Sequence, residues 1–129
     1  MIYIILDGDD IGLKIEKSFL EEDEVSLKRI NDDIKEIGEI ISFYLEERGF
    51  EIIFSGADGL IGKGDEIDIE SLSKFVKKKC LPYTFSVGIG DNLKGAFLAL
   101  RYAKSISKNV TVVYTTKNDE FKILRFENL

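Results

Sequence analysis

Phe50-Glu51-Ile52-Ile53-Phe54-Ser55-Gly56-Ala57-Asp58-Gly59-Leu60-Ile61 is the stretch on which the fold turns. A β-branched apolar run, a turn with a glycine on either side of Ala57-Asp58, and an apolar return read as a tight hairpin, because Gly56 and Gly59 supply the backbone freedom such a turn needs. Upstream, Gly49 ends a helix between Val25 and Arg48, where Leu27, Ile30, Ile34, Ile37, Ile41 and Tyr44 or Leu45 keep the three-four spacing of one helical face. Before it, Ile2-Tyr3-Ile4-Ile5-Leu6 reads as a strand buried on both faces, followed by a helix that begins near Ile11. Downstream, Asp68 caps a helix to about Cys80 with Lys77-Lys78-Lys79 at its carboxyl end, and Pro82 closes it. Tyr83 to Ile89 is a fourth strand. Asp91 or Asn92 then caps a helix through about Ser107, and Val110 to Tyr114 and Phe121 to Phe126 are two last strands around an Asn118-Asp119 turn. This order contains β-α-β-β-α-β, the ferredoxin-like unit. It predicts an α+β domain with a mostly antiparallel sheet, helices on one face and an added C-terminal hairpin. In that unit the first strand lies beside the hairpin, so Asp7 and the hairpin turn become neighbours.

The chain has 129 residues, 44% of them hydrophobic, which fits a single domain over residues 1–129 with one real core. A net charge of −6 argues against a long nucleic-acid or anionic-membrane surface, since those partners need a broad basic field. Cys80 is the only cysteine, so no internal disulfide forms and a reducing cytoplasm is the expected compartment. Ile2 to Leu6 is too short for a secretion signal and runs straight into acids, and no stretch approaches the apolar length that spans a bilayer. Histidine is absent, which removes Ser-His-Asp and Cys-His nucleophile systems, zinc-histidine sites and histidine general bases. Carboxylates, lysines and a metal remain.

Asp7-Gly8-Asp9-Asp10-Ile11-Gly12 follows the first strand, and Asp58 stands in the hairpin turn. A carboxylate at a strand end with a glycine beside it suits a hard cation, and magnesium asks for one or two protein carboxylates with water and phosphate oxygens filling the rest of its shell. The plainer reading of the first cluster is a solvated acidic turn capping the next helix, but three adjacent acids repel one another unless a cation or helix start offsets them. An EF-hand fails because Ile11 replaces the fifth ligand and Ser18 the bidentate glutamate. A haloacid-dehalogenase motif is opposed by Ile11 in place of threonine or valine and by the lack of a downstream acidic motif. Asp58 alone is what any hairpin turn tolerates; together with Asp7 it makes a two-carboxylate metal site. From Asn92 to Lys108 the last helix carries Lys94, Arg101, Lys104 and Lys108 and no acid. Arg101, Lys104 and Lys108 share one face, and beyond complementing the helix dipole they point to triphosphate contact. Ser86-Val87-Gly88-Ile89-Gly90 lacks the third glycine of a dinucleotide fingerprint, and residues 59–64 lack the first glycine and the hydroxyl of a P-loop.

In this order the motifs resemble the palm of the GGDEF and class III cyclases, and most closely the minimal CRISPR polymerase (mCpol) group related to the palm of the large type III CRISPR subunit. Asp7-Gly8-Asp9-Asp10-Ile11-Gly12 is similar to that family's first metal motif, and Gly56-Ala57-Asp58-Gly59-Leu60 to Gly-Gly-Asp-Glu-Phe. Ser86 to Gly90 resembles the later Ser-x-Gly-Ile strand, and Ala99-Leu100-Arg101-Tyr102-Ala103-Lys104 with Lys108-Asn109 resembles the Ala-Leu-x-x-Ala-Lys helix and its Arg-Asn end. The resemblance implies that Asp7 and Asp58, with the Gly8 carbonyl, hold two magnesium or manganese ions. It makes Asp9 and Asp10 auxiliary acids and assigns nucleotide or phosphate contact to Gly56, Ala57, Arg101, Lys104 and Lys108. Two departures are visible: Gly59 replaces the motif's glutamate, and Ile15-Glu16 stand where an Asn-Asp pair reads guanine in diguanylate cyclases, which favours ATP as substrate. The implied activity is a nucleotidyltransferase that condenses ATP into a small cyclic di- or oligonucleotide with release of pyrophosphate, in prokaryotic antiviral signalling. Forming two bonds calls for two palms facing each other, hence a homo-oligomer, often beside a membrane effector that senses the product. Two rivals stand: a response-regulator receiver phosphorylated at Asp58, and a degenerate palm that binds nucleotide without turnover.

Overall fold

In the computed structural model, which describes residues 1–117 and 120–128, the chain runs β1 (Ile2–Gly8), α1 (Ile11–Leu20), α2 (Glu24–Glu46), β2 (Glu51–Gly56), β3 (Gly59–Gly64), α3 (Ile69–Lys79), β4 (Phe85–Gly90), α4 (Leu93–Ile106), β5 (Val110–Lys117) and β6 (Glu120–Glu127). The expected Asn118-Asp119 turn lies outside the described residues. Local chemistry sets the boundaries. Asp23, Asp68 and Asn92 each accept a hydrogen bond from the backbone N–H three residues on, at 3.0, 3.1 and 2.6 Å, and so start α2, α3 and α4. Of the two cap candidates before α4, Asn92 takes the role, while Asp91 accepts from the Thr116 N–H and hydroxyl. Past the end of α2, Gly49 takes φ 84°, a conformation glycine adopts without Cβ strain.

The six strands form one sheet in the order β2-β3-β1-β4-β5-β6, antiparallel except for the β4–β5 pair. Through β4 this is the ferredoxin-like order, with β1 between β3 and β4. Antiparallel pairing of β1 with both neighbours differs from the parallel doubly wound sheet of a receiver, which removes that rival. Asp7 pairs with Gly59 on β3 and with Ser86 on β4, so the register brings the hairpin turn to the acidic end of β1.

One core cluster unites Ile4 and Leu6 of β1, the Ile30-Ile34-Ile37-Ile41-Leu45 stripe of α2, Leu72 and Val76 of α3, and Val87 and Ile89 of β4. A smaller one joins Ala99 and Ala103 of α4 to Val110 and Val112 of β5. Side chains alternate along a strand, so these two sets occupy opposite faces of the sheet. The expectation of helices on one face therefore holds for α2 and α3 and is corrected for α4. The reason lies in β4: between inward Val87 and Ile89, a Cβ on Gly88 would sit 2.3 Å from the Ala96 carbonyl oxygen, and one on Gly90 2.3 Å from the Ala96 nitrogen. Bare backbone there lets α4 seat directly on the strand. Because β3 and β4 run parallel, and α3 and α4 both carry the chain in the same direction across the sheet but on opposite faces, their crossovers have opposite hand. One of them takes the hand that parallel crossovers rarely adopt. Since α4 covers mainly β4 and β5, Tyr3 and Ile5 stay half-buried, which corrects the reading of β1 as enclosed on both faces. Among the described residues, no helix is long and apolar enough to cross a membrane.

Candidate functional site

Asp7 is the penultimate residue of β1, and the Ala57-Asp58 turn, with Ala57 at φ 50°, closes the hairpin beside it. The Gly8 N–H donates to the Asp58 carbonyl at 2.9 Å, which ties the turn to the strand end. Both flanking glycines are sterically required or chemically telling. A Cβ on Gly8 would meet Ile11 Cγ1 at 2.6 Å and the Asp58 Cβ at 3.4 Å, while one on Gly59 would lie 3.6 Å from Asp7 Oδ1. Asp7 and Asp58 thus enter one hollow, together with Gly8, Asp10, Ile11, Gly12, Leu13, Glu16, Lys104 and Lys108. Burial raises the Asp7 pKa above 3.8; Lys104 offsets part of that rise, and the negative charges of Asp58 and Asp9 add to it.

Lys104 reaches into the hollow from α4. Its Nζ lies 3.1 Å from Asp7 Oδ2, and it donates to Asp9 Oδ1 at 2.7 Å, to the Gly8 carbonyl at 3.0 Å and to the Asp7 carbonyl at 3.2 Å. Lys108 lies two residues past the end of α4, which corrects its placement on the helical face of Arg101 and Lys104; it pairs with Asp10, and both residues hold left-handed backbone, at φ 56° and 59°. The hydrogen bond to Asp10 raises the Lys108 pKa.

Asp9 has a different environment from its neighbours. Its side chain is only 2% exposed and accepts from the hydroxyls of Thr84 and Ser86, each at 2.7 Å, from Lys104 at 2.7 Å and from the Asn109 N–H at 2.9 Å. Burial pushes its carboxyl up, but the donors outweigh burial and hold it below 3.8. It does not line the hollow; its lone pairs bind the β1–α1 loop, β4 and the α4–β5 connection together. Among the other residues singled out from sequence, Arg101 also stays outside, its guanidinium 5.8 Å from the Phe97 ring centroid. Gly56 and Ala57 line a second space instead, a cavity of about 990 Å³ between α1, α2 and the hairpin. Isoleucines and leucines of α1, α2, β1 and β3 supply much of its apolar wall, with Asn31, Lys35, Glu39, Ser42 and Glu46 among the polar groups. Ile11, Gly12 and Asp58 line both spaces, so the apolar cavity and the charged hollow share a wall. Sequence reasoning missed this cavity and the Asp9 partners, because both depend on residues distant in the chain.

Among the described residues, no three or more acids, cysteines or histidines converge into a metal cage. What the hollow offers is a set of hard oxygens: the Asp7 and Asp58 carboxylates and the Gly8 carbonyl, with Asp10, paired to Lys108, and Glu16 also on its wall. That set fits a cation which draws most of its shell from water and phosphate, as magnesium does, and does not suit zinc.

Comparison with solved structures shows the same fold in a diguanylate cyclase/phosphodiesterase from Caldicellulosiruptor saccharolyticus, with a TM-score of 0.62 and 17% identity over 94% of this chain and 78% of that one. No curated protein matches the chain. The family model of the minimal CRISPR polymerase domain matches residues 3–114, a span that runs from the acidic strand β1 through the hairpin and α4 into β5. The chain belongs to the minimal CRISPR polymerase (mCpol) domain family.

Proposed function

We propose that this domain is a metal-dependent nucleotidyltransferase that condenses NTP, with ATP as the preferred substrate, into a small cyclic di- or oligonucleotide and releases pyrophosphate. The observation that carries the reading is the meeting of Asp7 and Asp58 in one charged hollow that shares a wall with an apolar cavity of about 990 Å³. A triphosphate has the chemistry for the first space, and a nucleobase for the second. In this reading Asp7, Asp58 and the Gly8 carbonyl hold two magnesium or manganese ions. Those ions, when bound, lower the pKa of an attacking ribose hydroxyl and neutralise the leaving pyrophosphate. Lys104 and Lys108 bind phosphate oxygens, Gly56 and Ala57 shape the entrance to the base cavity, and Asn31 orients the base. With so few acids, rate enhancement comes from positioning and charge neutralisation. Arg101, outside the hollow, serves from the flank. Closing a ring takes two bonds, so two domains act face to face as a homo-oligomer, and the product signals to a separate, membrane-associated effector in antiviral defence.

A specific observation favours a second reading: Gly59 contributes no side chain beside Asp7 Oδ1, which suits a palm that binds nucleotide without turnover. Incubating the pure protein with magnesium or manganese and each NTP in turn, followed by mass spectrometry, separates the two. A cyclic adenylate is the expected product. Retained nucleotide binding with no product from any NTP would favour the degenerate palm.

A further inference from the structure

We propose that the Lys104 ammonium stands in for a divalent cation in the nucleotide-free domain, so that metal loading requires its displacement and is thereby coupled to triphosphate binding. This rests on the reading of Asp7 and the Gly8 carbonyl as cation ligands. Lys104 Nζ sits among four oxygens, Asp7 Oδ2 at 3.1 Å, Asp9 Oδ1 at 2.7 Å, and the Gly8 and Asp7 carbonyls at 3.0 and 3.2 Å. An ammonium has three N–H donors, so this site saturates it. Two of the groups it holds, the Asp7 carboxylate and the Gly8 carbonyl, are among those proposed to take a metal ion. An ammonium and a divalent ion cannot share them, because their mutual repulsion at such separations exceeds what the same few oxygens offset.

The geometry also provides a way out. Asp9 is held by Thr84, Ser86 and the Asn109 N–H, so it stays in position when the hollow changes occupant. Lys104 has a flexible four-carbon stem and its side chain is 25% exposed, so Nζ can keep Asp9 as an anchor, leave Asp7 and Gly8, and turn towards incoming phosphate. Lys108, just past the end of α4, follows the same pattern, paired with Asp10 until an anion arrives. Metal alone then competes with a resident charge, whereas metal with triphosphate offers that charge a new partner. The coupling is reciprocal: nucleotide tightens metal binding by the same factor as metal tightens nucleotide binding.

Titration of the full chain with Mn²⁺, read by the EPR signal of the free ion, tests this without turnover. In the absence of nucleotide, Lys104→Met binds Mn²⁺ about fivefold or more tightly than wild type, a typical coupling factor, and the gain disappears in Lys104→Met/Asp7→Asn. Lys104→Arg, which keeps the charge, shows no gain. With a non-hydrolysable ATP analogue present, the nucleotide-induced tightening seen in wild type shrinks in Lys104→Met. Lys104→Gln serves as a second neutral variant, and thermal melts verify that each is folded. Equal or weaker Mn²⁺ binding by folded Lys104→Met and Lys104→Gln overturns the inference while leaving the cation site intact. If instead Asp7→Asn leaves Mn²⁺ binding unchanged even with nucleotide, the reading of the site falls, and the inference with it.

Discussion

Lys104 and Asp9 lie 95 residues apart in the chain, yet the lysine Nζ meets the buried carboxylate at 2.7 Å. This contact ties the loop just after the strand that carries one acid of the hollow to α4, the helix that carries Lys104. Because Asp9 is otherwise filled by hydroxyl and amide donors, it is a scaffold for the site, which leaves Asp7 and Asp58 as the carboxylates proposed to face a metal.

Removing that scaffold has a predictable cost. Asp9→Ala leaves Lys104, Thr84, Ser86 and the Asn109 N–H without their shared acceptor and should destabilise the domain by about 3 kcal/mol. The folded-state pKa of Asp9 is lowered, so the stability it contributes is fully present above its ordinary value of 3.8 and is lost as pH falls through the folded value. In urea titrations the gap between wild type and variant should be constant from pH 7 to 5 and narrow below about pH 4. A gap that stays the same down to pH 3 would mean that Asp9 is not held as a charged acceptor.

Two glycines should respond in opposite ways. Gly88→Ala drives a methyl to 2.3 Å from backbone of α4 and should cost about 1–3 kcal/mol while loosening the helix that presents Lys104. Gly12, inside α1, has no atom within 4 Å of a built Cβ, so Gly12→Ala should be neutral or raise stability by about 0.5–1 kcal/mol. Equal melting temperatures for Gly88→Ala and wild type would contradict the close seating of α4.

Much of this architecture was legible in the sequence. The three-four stripe of α2, the caps Asp68 and Asn92, and the Gly56–Gly59 turn are local signals, and the ferredoxin-like order followed from them. The face taken by α4 was not: the spacing of Leu93, Ala96, Phe97, Leu100 and Ala103 suggests an inward stripe, of which Leu93 and Phe97 in fact stay exposed while Ala99 is buried, and it says nothing about which side of the sheet receives the helix. Only the contact of Gly88 and Gly90 with Ala96 encodes that choice, and isolated glycines in a strand carry several meanings. In the sequence, Asp9 stands beside Asp7 as one of several acids suited to a cation. Its partners Thr84, Ser86 and Asn109 lie 75, 77 and 100 residues away, out of range of any spacing rule. Arg101 shares helical spacing with Lys104, yet its guanidinium lies over Phe97 and it does not line the hollow.

The missing glutamate can be put back. A side chain at position 59 would start 3.6 Å from Asp7 Oδ1, so Gly59→Glu adds a third carboxylate next to the proposed metal ligands. Mn²⁺ affinity should rise by about an order of magnitude with the added ligand charge. Unchanged affinity, measured by calorimetry, would show that this edge of the hollow does not face the cation.

Cys80 offers a check on the core that is independent of the site. Complete burial pushes its thiol up to about 12, so it should not react with a disulfide reagent at pH 8 until the domain unfolds. Rapid labelling of the native protein would contradict the packing of α3 against the sheet.

The most direct test of the proposed chemistry is metal-dependent pyrophosphate release from ATP by wild type, Asp7→Asn and Asp58→Asn at equal concentration. Release that requires magnesium or manganese and drops by about two orders of magnitude or more in each variant is the predicted result. Release that survives both substitutions, or that none of the three proteins supports with any NTP, would contradict it.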